Sequence, residues 1–541
     1  MESTASWCSG SNLNTVNSQS SYPMRARMVA IAQASEAAYS SRAPYHPAYE
    51  YPEYPFGTSA VSPGPSSAYS AVREAFFLLG LDRHNFGTKL WNPLSSVVQP
   101  GMTVVLKPNF VLSRHKQGKD LFGIITHPSV LRAVADYCWI ALKGEGSILI
   151  ADAPQYDCNF AELTNALRLD ELCAFYPKGT VSVSYRDLRN YWSRGRHFPS
   201  MTEALPGDPE GQVLIDLGEK SAFHGKGHEQ KLYGAVYHRS ETIDRHSKGR
   251  HQYEVSATVL KADVVISCPK LKVHKKVGVT LNAKGLVGIA TNKNYLVHYT
   301  LGTPSQGGDQ FPENCLTRSE SVLIGLERWM YDHLLAPRIK PLEYLHRSIY
   351  WVHNHTLRRA GLKVDEAKRN LDAGNWYGND SAWRMTVDLM RILHYASREG
   401  KMCSQPQRRL FSVIDGIVGG EGNGPLTPDP VASGVVVAGE GLLATDLAAT
   451  AVMGFDPEVL RMYQHLLRDP HFRFEADSLN QVRVVSNRPE WNGSAASLAP
   501  HALGFRPHPG WVGHVEWPRA VVRADPRADL LDEDAVISRA T

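Results

Sequence analysis

Asp263-Val264-Val265-Ile266-Ser267, running straight into Cys268-Pro269-Lys270-Leu271-Lys272-Val273-His274, is the stretch that decides the fold class. A short β-branched run bounded by turn residues reads as a buried strand. Two lysines and a histidine leave its carboxyl end at alternating positions. Such residues share a face in an extended segment, so Lys270, Lys272 and His274 point one way and Leu271 the other, into the core. Open α/β sheets bind ligands outside the carboxyl ends of their strands, where this trio would act on an anion. The alternative is a solvated basic loop, the commoner fate of lysines.

The pattern recurs on both sides of this stretch. Met102 to Leu106 reads as a strand and leads into Lys107-Pro108-Asn109. Pro128 suits the first turn of a helix whose Leu131, Val134 and Cys138 form an apolar stripe, with Gly144 as its stop. Ser147 to Ala151 is a second strand, ending at Asp152; strand, helix, strand implies parallel pairing through a right-handed crossover. Further strands are expected at Met28 to Ala32, Leu410 to Ile414 and Val435 to Ala438. Helices are expected around Val72, Phe76 and Leu79 and over Leu443 to Met453. The fold class is therefore α/β: a mainly parallel sheet flanked by helices, with a polar insertion and a helical segment. Lys107 and Asn109, Asp152, the Lys270/Lys272/His274 trio and Asp415 then fall at four strand ends on one rim, which looks like a site.

Composition bounds the rest. The chain has 541 residues, 43% apolar and 21% charged, with a formal net charge of +4, ordinary for a globular protein and no polyanion sponge. Seven scattered cysteines without a Cys-x-x-Cys pair make neither a disulfide scaffold nor an iron–sulfur site, and they suit a reducing cytoplasm. No apolar run approaches the roughly 18 residues a membrane span needs. Residues 1–23, rich in Ser, Thr and Asn, read as a disordered tail, and both Met1 and Met24 are candidate starts. Residues 24–486 would form the α/β domain. Within it, 185–260 is an insertion or a small antiparallel layer, and 318–400 is mainly helical. Residues 487–541 are read as a C-terminal extension that wraps or frays.

Between Lys270 and Lys293 stand six lysines (270, 272, 275, 276, 284 and 293) and no acid, a local field that favours carboxylate or phosphate. Val279 to Gly288 is a strand or a glycine-punctuated turn. Nucleic acid, the obvious rival, would want a longer basic stripe with stacking aromatics, and it is not expected. His274 and His298 are the expected acid/base groups, while His127 is expected to cap a helix. Gly420-Glu421-Gly422-Asn423-Gly424-Pro425 lacks the Gly-Lys-Ser/Thr of a phosphate loop; it is read as a tight loop placing Glu421 and Asn423 near Asp415. Asp446 has two readings, helix-dipole pairing and a loop-anchoring contact.

At these residues the chain resembles the domain of unknown function 362 family. The matching segments are Leu106-Lys107-Pro108-Asn109-Phe110, Thr126-His127-Pro128-Ser129, Pro269 to His274 with Gly278-Val279-Thr280 and Lys284, Ile414-Asp415-Gly416 with Glu421 to Pro425, and Asp446 through Met453 to Pro457. Val273 stands where the family usually has threonine, and Gly285 where asparagine is common. Many relatives carry a ferredoxin-like cysteine module, which this chain lacks. The resemblance implies a family and hardly a reaction. As an analogy only, the His/Gly/Lys arrangement at 274–288 is similar to the substrate half of nickel-pincer lactate racemases.

The functional expectation is a cytoplasmic enzyme acting on a small anionic metabolite. Lys107, Asn109, Lys270, Lys272, Lys284 and Asn423 would bind the substrate, and His274 and His298 would carry out acid/base chemistry. Asp152, Asp415 and Glu421 would orient them or hold a divalent metal. The cofactor is otherwise unknown, no iron–sulfur cluster is expected, and the oligomeric state is open. The rivals are a cofactor- or metal-carrying accessory protein without turnover, and a regulatory ligand-binding protein.

Overall fold

The computed structural model describes residues 23–62, 64, 66–193, 199–234, 238–357 and 363–518. The expected disordered tail, apart from Pro23, and residues 519–541 of the expected extension lie outside them. The labelled strands are β1 (Met28–Gln33), β2 (Thr103–Pro108), β3 (Ser147–Asp152), β4 (Ser182–Asp187), β5 (Val264–Cys268), β6 (Lys270–His274), β7 (Arg409–Glu421), β8 (Val435–Gly439) and β9 (Arg483–Ser486). Eight of them line up in the order β9-β1-β8-β7-β5-β2-β3-β4, and β6 lies off this row against the far half of β7. Pairing is parallel from β7 through β5, β2 and β3 to β4, while β8 runs antiparallel between β1 and β7. The result is a mixed α/β fold with a large, mainly parallel sheet.

Alternation along the strands feeds two hydrophobic layers. Ala30, Val104, Ile266 and Val436 pack on one face with α1 (Ala68–Leu78) and α2 (Pro128–Leu142). Ile31, Val105, Val265, Leu271 and Val437 pack on the other, beneath α3 (Leu281–Gly285), α6 (Ala382–Tyr395) and α7 (Leu442–Met453). Between α3 and α6 come α4 (Arg318–Met330) and α5 (Lys340–Val352), the first helices of the segment read as mainly helical. The region 185–260 holds short antiparallel pairs, Tyr191–Ser193 with Thr202–Ala204 and Gln212–Asp216 with Gln252–Ser256. Residues 487–518 wrap onto the body and bury Trp491, Leu498, Phe505, Trp511 and Val515.

Three local expectations are corrected. The chain beyond Cys268 does not leave the sheet as an open rim. It bends at Pro269 and continues as β6, with Lys270 opposite Asp415 and Lys272 opposite Gly420. Asp415 is not at a strand end either: β7 runs on to Glu421. Six residues of extended chain span roughly 20 Å, so Glu421 and Asn423 are not near Asp415. Finally, Val279 to Gly288 is neither a strand nor a turn throughout. It is the two-residue strand Gly278–Val279 followed by α3.

Candidate functional site

The strand ends do gather, but as ion pairs within the protein. Lys107 Nζ donates to Asp152 Oδ1 at 2.9 Å and to the Pro108 carbonyl at 2.7 Å; the other Asp152 oxygen accepts from the Phe110 amide at 2.7 Å. Gly288 sits against this pair so closely that a Cβ there would come within 1.8 Å of Asp152 Oδ1. Lys270 Nζ donates to Asp415 Oδ2 at 2.9 Å, and the Tyr39 hydroxyl bridges the two, donating to Asp415 Oδ1 and accepting from Lys270. The same carboxylate accepts the His127 amide. His127 caps α2, as expected, by accepting the Ser129 amide at its Nδ1, and its ring stacks on Tyr39 at 3.9 Å. Lys107 and Lys270 are buried and matched by carboxylates. The solvated rim expected for them is therefore not found.

A second group of lysines is buried without such matching. Lys272, Lys276, Lys284 and Lys293 are all covered, and none forms an ion pair among the described residues. Lys272 Nζ donates to the carbonyls of Ile124 and Pro425, Lys276 to that of Ala373, and Lys293 to those of Val287 and Ala290. Pro425 explains the glycine-rich loop better than any ligand does. A Cβ at Gly424 would lie 2.3 Å from the Val273 carbonyl, so glycine lets the loop close over β6. Lys284, 6% exposed, has no hydrogen-bond or ion-pair partner among the described residues, and its amine is not among the sealed, unpartnered atoms. Desolvation lowers the proton affinity of all four, to about 7 for Lys284 and for Lys293.

The two expected histidines belong to this group. Burial, followed by the charges of Lys284 and Lys276, pushes His274 and His298 well below the usual imidazole range and holds both neutral. Their tautomers follow from their backbone bonds. His274 Nδ1 accepts the Lys276 amide at 3.1 Å, so its proton is on Nε2. His298 Nδ1 lies 2.9 Å from the Leu296 carbonyl and must donate to it, so its Nε2 carries a lone pair. Neither Nε2 has a partner among the described residues. One imidazole thus offers a donor and the other a base.

The segment that carries Lys284 is held in a costly conformation. Leu281 adopts a positive φ of 45°, rare for a residue of its size. Asp446, in the first turns of α7, accepts the Asn282 and Ala283 amides at 2.8 Å each, and burial pushes its carboxyl up to about 7. The loop-anchoring reading of Asp446 is the one realised, and it occupies the amino end of α3. Beside this segment, Thr280 Oγ1 is buried without a partner.

The remaining expected residues lie apart. Glu421 is bound by the Arg506 side chain, and Asn423 is exposed. The Asn109 amide donates to Thr126, and its Oδ1 is buried without a partner. Asp152 and Asp415 stand on strands separated by two others, on the order of 14 Å apart. Asp152, Asp415 and Glu421 therefore do not converge, and no group of three or more His, Cys, Asp or Glu placed to hold a metal occurs among the described residues. Lys276 and Lys293 are unforeseen members of the group, although both stand in the acid-free stretch. Nothing in the sequence around Tyr39 pointed to its bridge.

A mainly parallel α/β sheet with a basic site beside its central strands defines the class of this protein. The sequence profile of the family described as Domain of unknown function (DUF362) matches residues 104–451, and the chain belongs to that family. No curated protein and no solved structure matches it. No helix among the described residues is long and apolar enough to cross a membrane.

Proposed function

We propose that the chain is an enzyme that binds a small carboxylate or phosphate metabolite beside Lys284 and carries out acid/base chemistry on it with His298 and His274. The observation that carries this reading is the group of four buried lysines without a carboxylate partner next to two imidazoles with free Nε2 atoms. Burying cations unmatched is expensive, and an anion in their midst would relieve it. Enclosure favours a small ligand over a polyanion. Lys107 and Lys270 have their charges already matched by Asp152 and Asp415, so Lys284, Lys272, Lys276 and Lys293 are the groups left to hold the anion.

The roles of the histidines follow from their tautomers. His298 Nε2 takes a proton from the substrate. His274 Nε2–H donates a hydrogen bond to an oxygen on which charge develops, without giving up its proton. Asp446 acts through α3 and is a positioning residue. A cytoplasmic location is part of the proposal, supported by the free thiols of Cys138, Cys158, Cys173, Cys268 and Cys315.

The test is solvent exchange. The protein is incubated in D2O with a panel of small hydroxy, amino and oxo carboxylates, and proton NMR follows loss of the C–H signal next to the carboxylate. Exchange with at least one of them is expected, abolished in His298→Gln and reduced in His274→Gln, whose amide still donates. A protein that retains or binds such an anion yet exchanges nothing would favour the carrier or regulatory reading; one that binds none would end the proposal.

A further inference from the structure

Lys284 differs from its neighbours in what its amine meets. Lys272, Lys276 and Lys293 each donate N–H bonds to backbone carbonyls, which fixes their amines in place. Lys284 meets no protein acceptor among the described residues, although it sits in the same enclosed group. An ammonium kept only for its charge would gain from the carbonyl partners its neighbours have; a bare amine is suited to act as a nucleophile. Its strained, Asp446-anchored carrier segment keeps it in place. Lys284 is the leading charge acting on both imidazoles, the His298 ring with its lone pair on Nε2 and the His274 ring with its proton there.

We infer that Lys284 forms an imine with the carbonyl carbon of a small anionic oxo acid. This rests on the anion-site reading above and names its substrate class. The Lys284 Nζ lone pair bonds to the carbonyl carbon while the carbonyl π pair moves onto oxygen, which the His274 N–H stabilises. His298 Nε2 takes a proton from the new ammonium and returns it to that oxygen, giving a neutral carbinolamine. The nitrogen lone pair then forms the C=N bond as the hydroxyl leaves, and His298 carries the second nitrogen proton to it. Amine and ketone or aldehyde become imine and water, with no oxidant or reductant and with His298 restored. Burial brings Lys284 down to about 7, which leaves a free-amine fraction at neutral pH, in keeping with this step.

The full chain is incubated with pyruvate or glyoxylate and sodium cyanoborohydride, then analysed by intact mass and peptide mapping. The expected product carries the acid less one oxygen atom, on the peptide that contains Lys284. The adduct should be lost in Lys284→Met and suppressed by excess lactate, which has the carboxylate but no carbonyl. Lys284→Arg keeps the charge if the methionine variant fails to fold; it should bind lactate but give no adduct. Binding of the oxo acid by calorimetry, with no adduct or with adducts scattered over surface lysines, would overturn the imine and leave the anion site standing. Failure of pyruvate, glyoxylate and lactate all to bind would overturn both.

Discussion

At the scale of single residues, the distinction that matters is between lysines that have a carboxylate and those that do not. Lys270 and Asp415 are both fully buried and bonded, so Lys270→Ala would strand a buried carboxylate and should cost about 3–5 kcal/mol in denaturant unfolding. Lys284→Met replaces an unpartnered buried amine by an isosteric apolar chain and should leave stability unchanged or raise it, while anion binding is lost. The two variants separate structural from functional lysines in one pair of measurements. A stability loss in Lys284→Met as large as in Lys270→Ala would refute the distinction. The sequence displays both kinds alike. Alternation along 270–274 put Leu271 correctly in the core, but the partners that sort the lysines, Asp152 for Lys107, Asp415 for Lys270, and Ile124 and Pro425 for Lys272, come from distant segments and cannot be read locally.

The same residues set a pH dependence whose sign is definite. A lysine at about 7 when folded and near 10.5 when unfolded binds more protons in the unfolded state across that interval, so stability rises with pH there. Lys284 alone should contribute up to about 1.4 kcal/mol per pH unit within the window. Urea unfolding at intervals from pH 7 to pH 9.5 should therefore show a rising free energy, with a shallower slope in Lys284→Met. Asp446, also near 7, acts in the opposite sense but below that window. Equal slopes in the two proteins would mean that Lys284 is solvated.

At the scale of elements, α3 is only five residues long and could not stand alone. It persists because Asp446 accepts its first amides and because Leu281 and Leu286 are buried. Asp446→Ala should cost about 1–3 kcal/mol, the usual penalty for leaving buried donors unpaired, and should weaken anion binding by moving Lys284. Asp446→Asn should recover much of both, because its amide oxygen still accepts; loss of stability with unchanged affinity would contradict the positioning role. Most long elements were legible: the β2-α2-β3 unit, β5, β8 and α7 follow from apolar runs and cap residues. The short ones were not. Glycines and lysines in 278–288 suit turn, strand or helix equally, and the contact that decides between them is a carboxylate far along the chain.

At the scale of the whole molecule, the site is closed by chain that returns late. Phe505 lies against Gly419 of β7, and the Trp511 indole donates to the Lys275 carbonyl beside His274. Truncation after residue 486 should therefore lower the thermal midpoint by many degrees and abolish anion binding, despite leaving the family-matched region intact. A shortened chain with unchanged midpoint and affinity would show that the 487–518 segment is dispensable. Its Pro-, Gly- and Trp-rich composition told of irregular chain but not of its resting place. Fold class was legible because strand periodicity is local; enclosure was not, because it depends on how separate segments meet.

If Lys284 titrates at about 7, it is largely neutral in the free protein at pH 8 and should take up a proton when an anion that cannot react with it binds. Calorimetric titration of lactate at pH 8, repeated in buffers of different ionisation enthalpy, measures the protons taken up on binding. The prediction is binding with uptake approaching about one proton in the native chain, and its loss in Lys284→Met. Lactate that fails to bind, or that binds both proteins alike with no proton uptake, would contradict it.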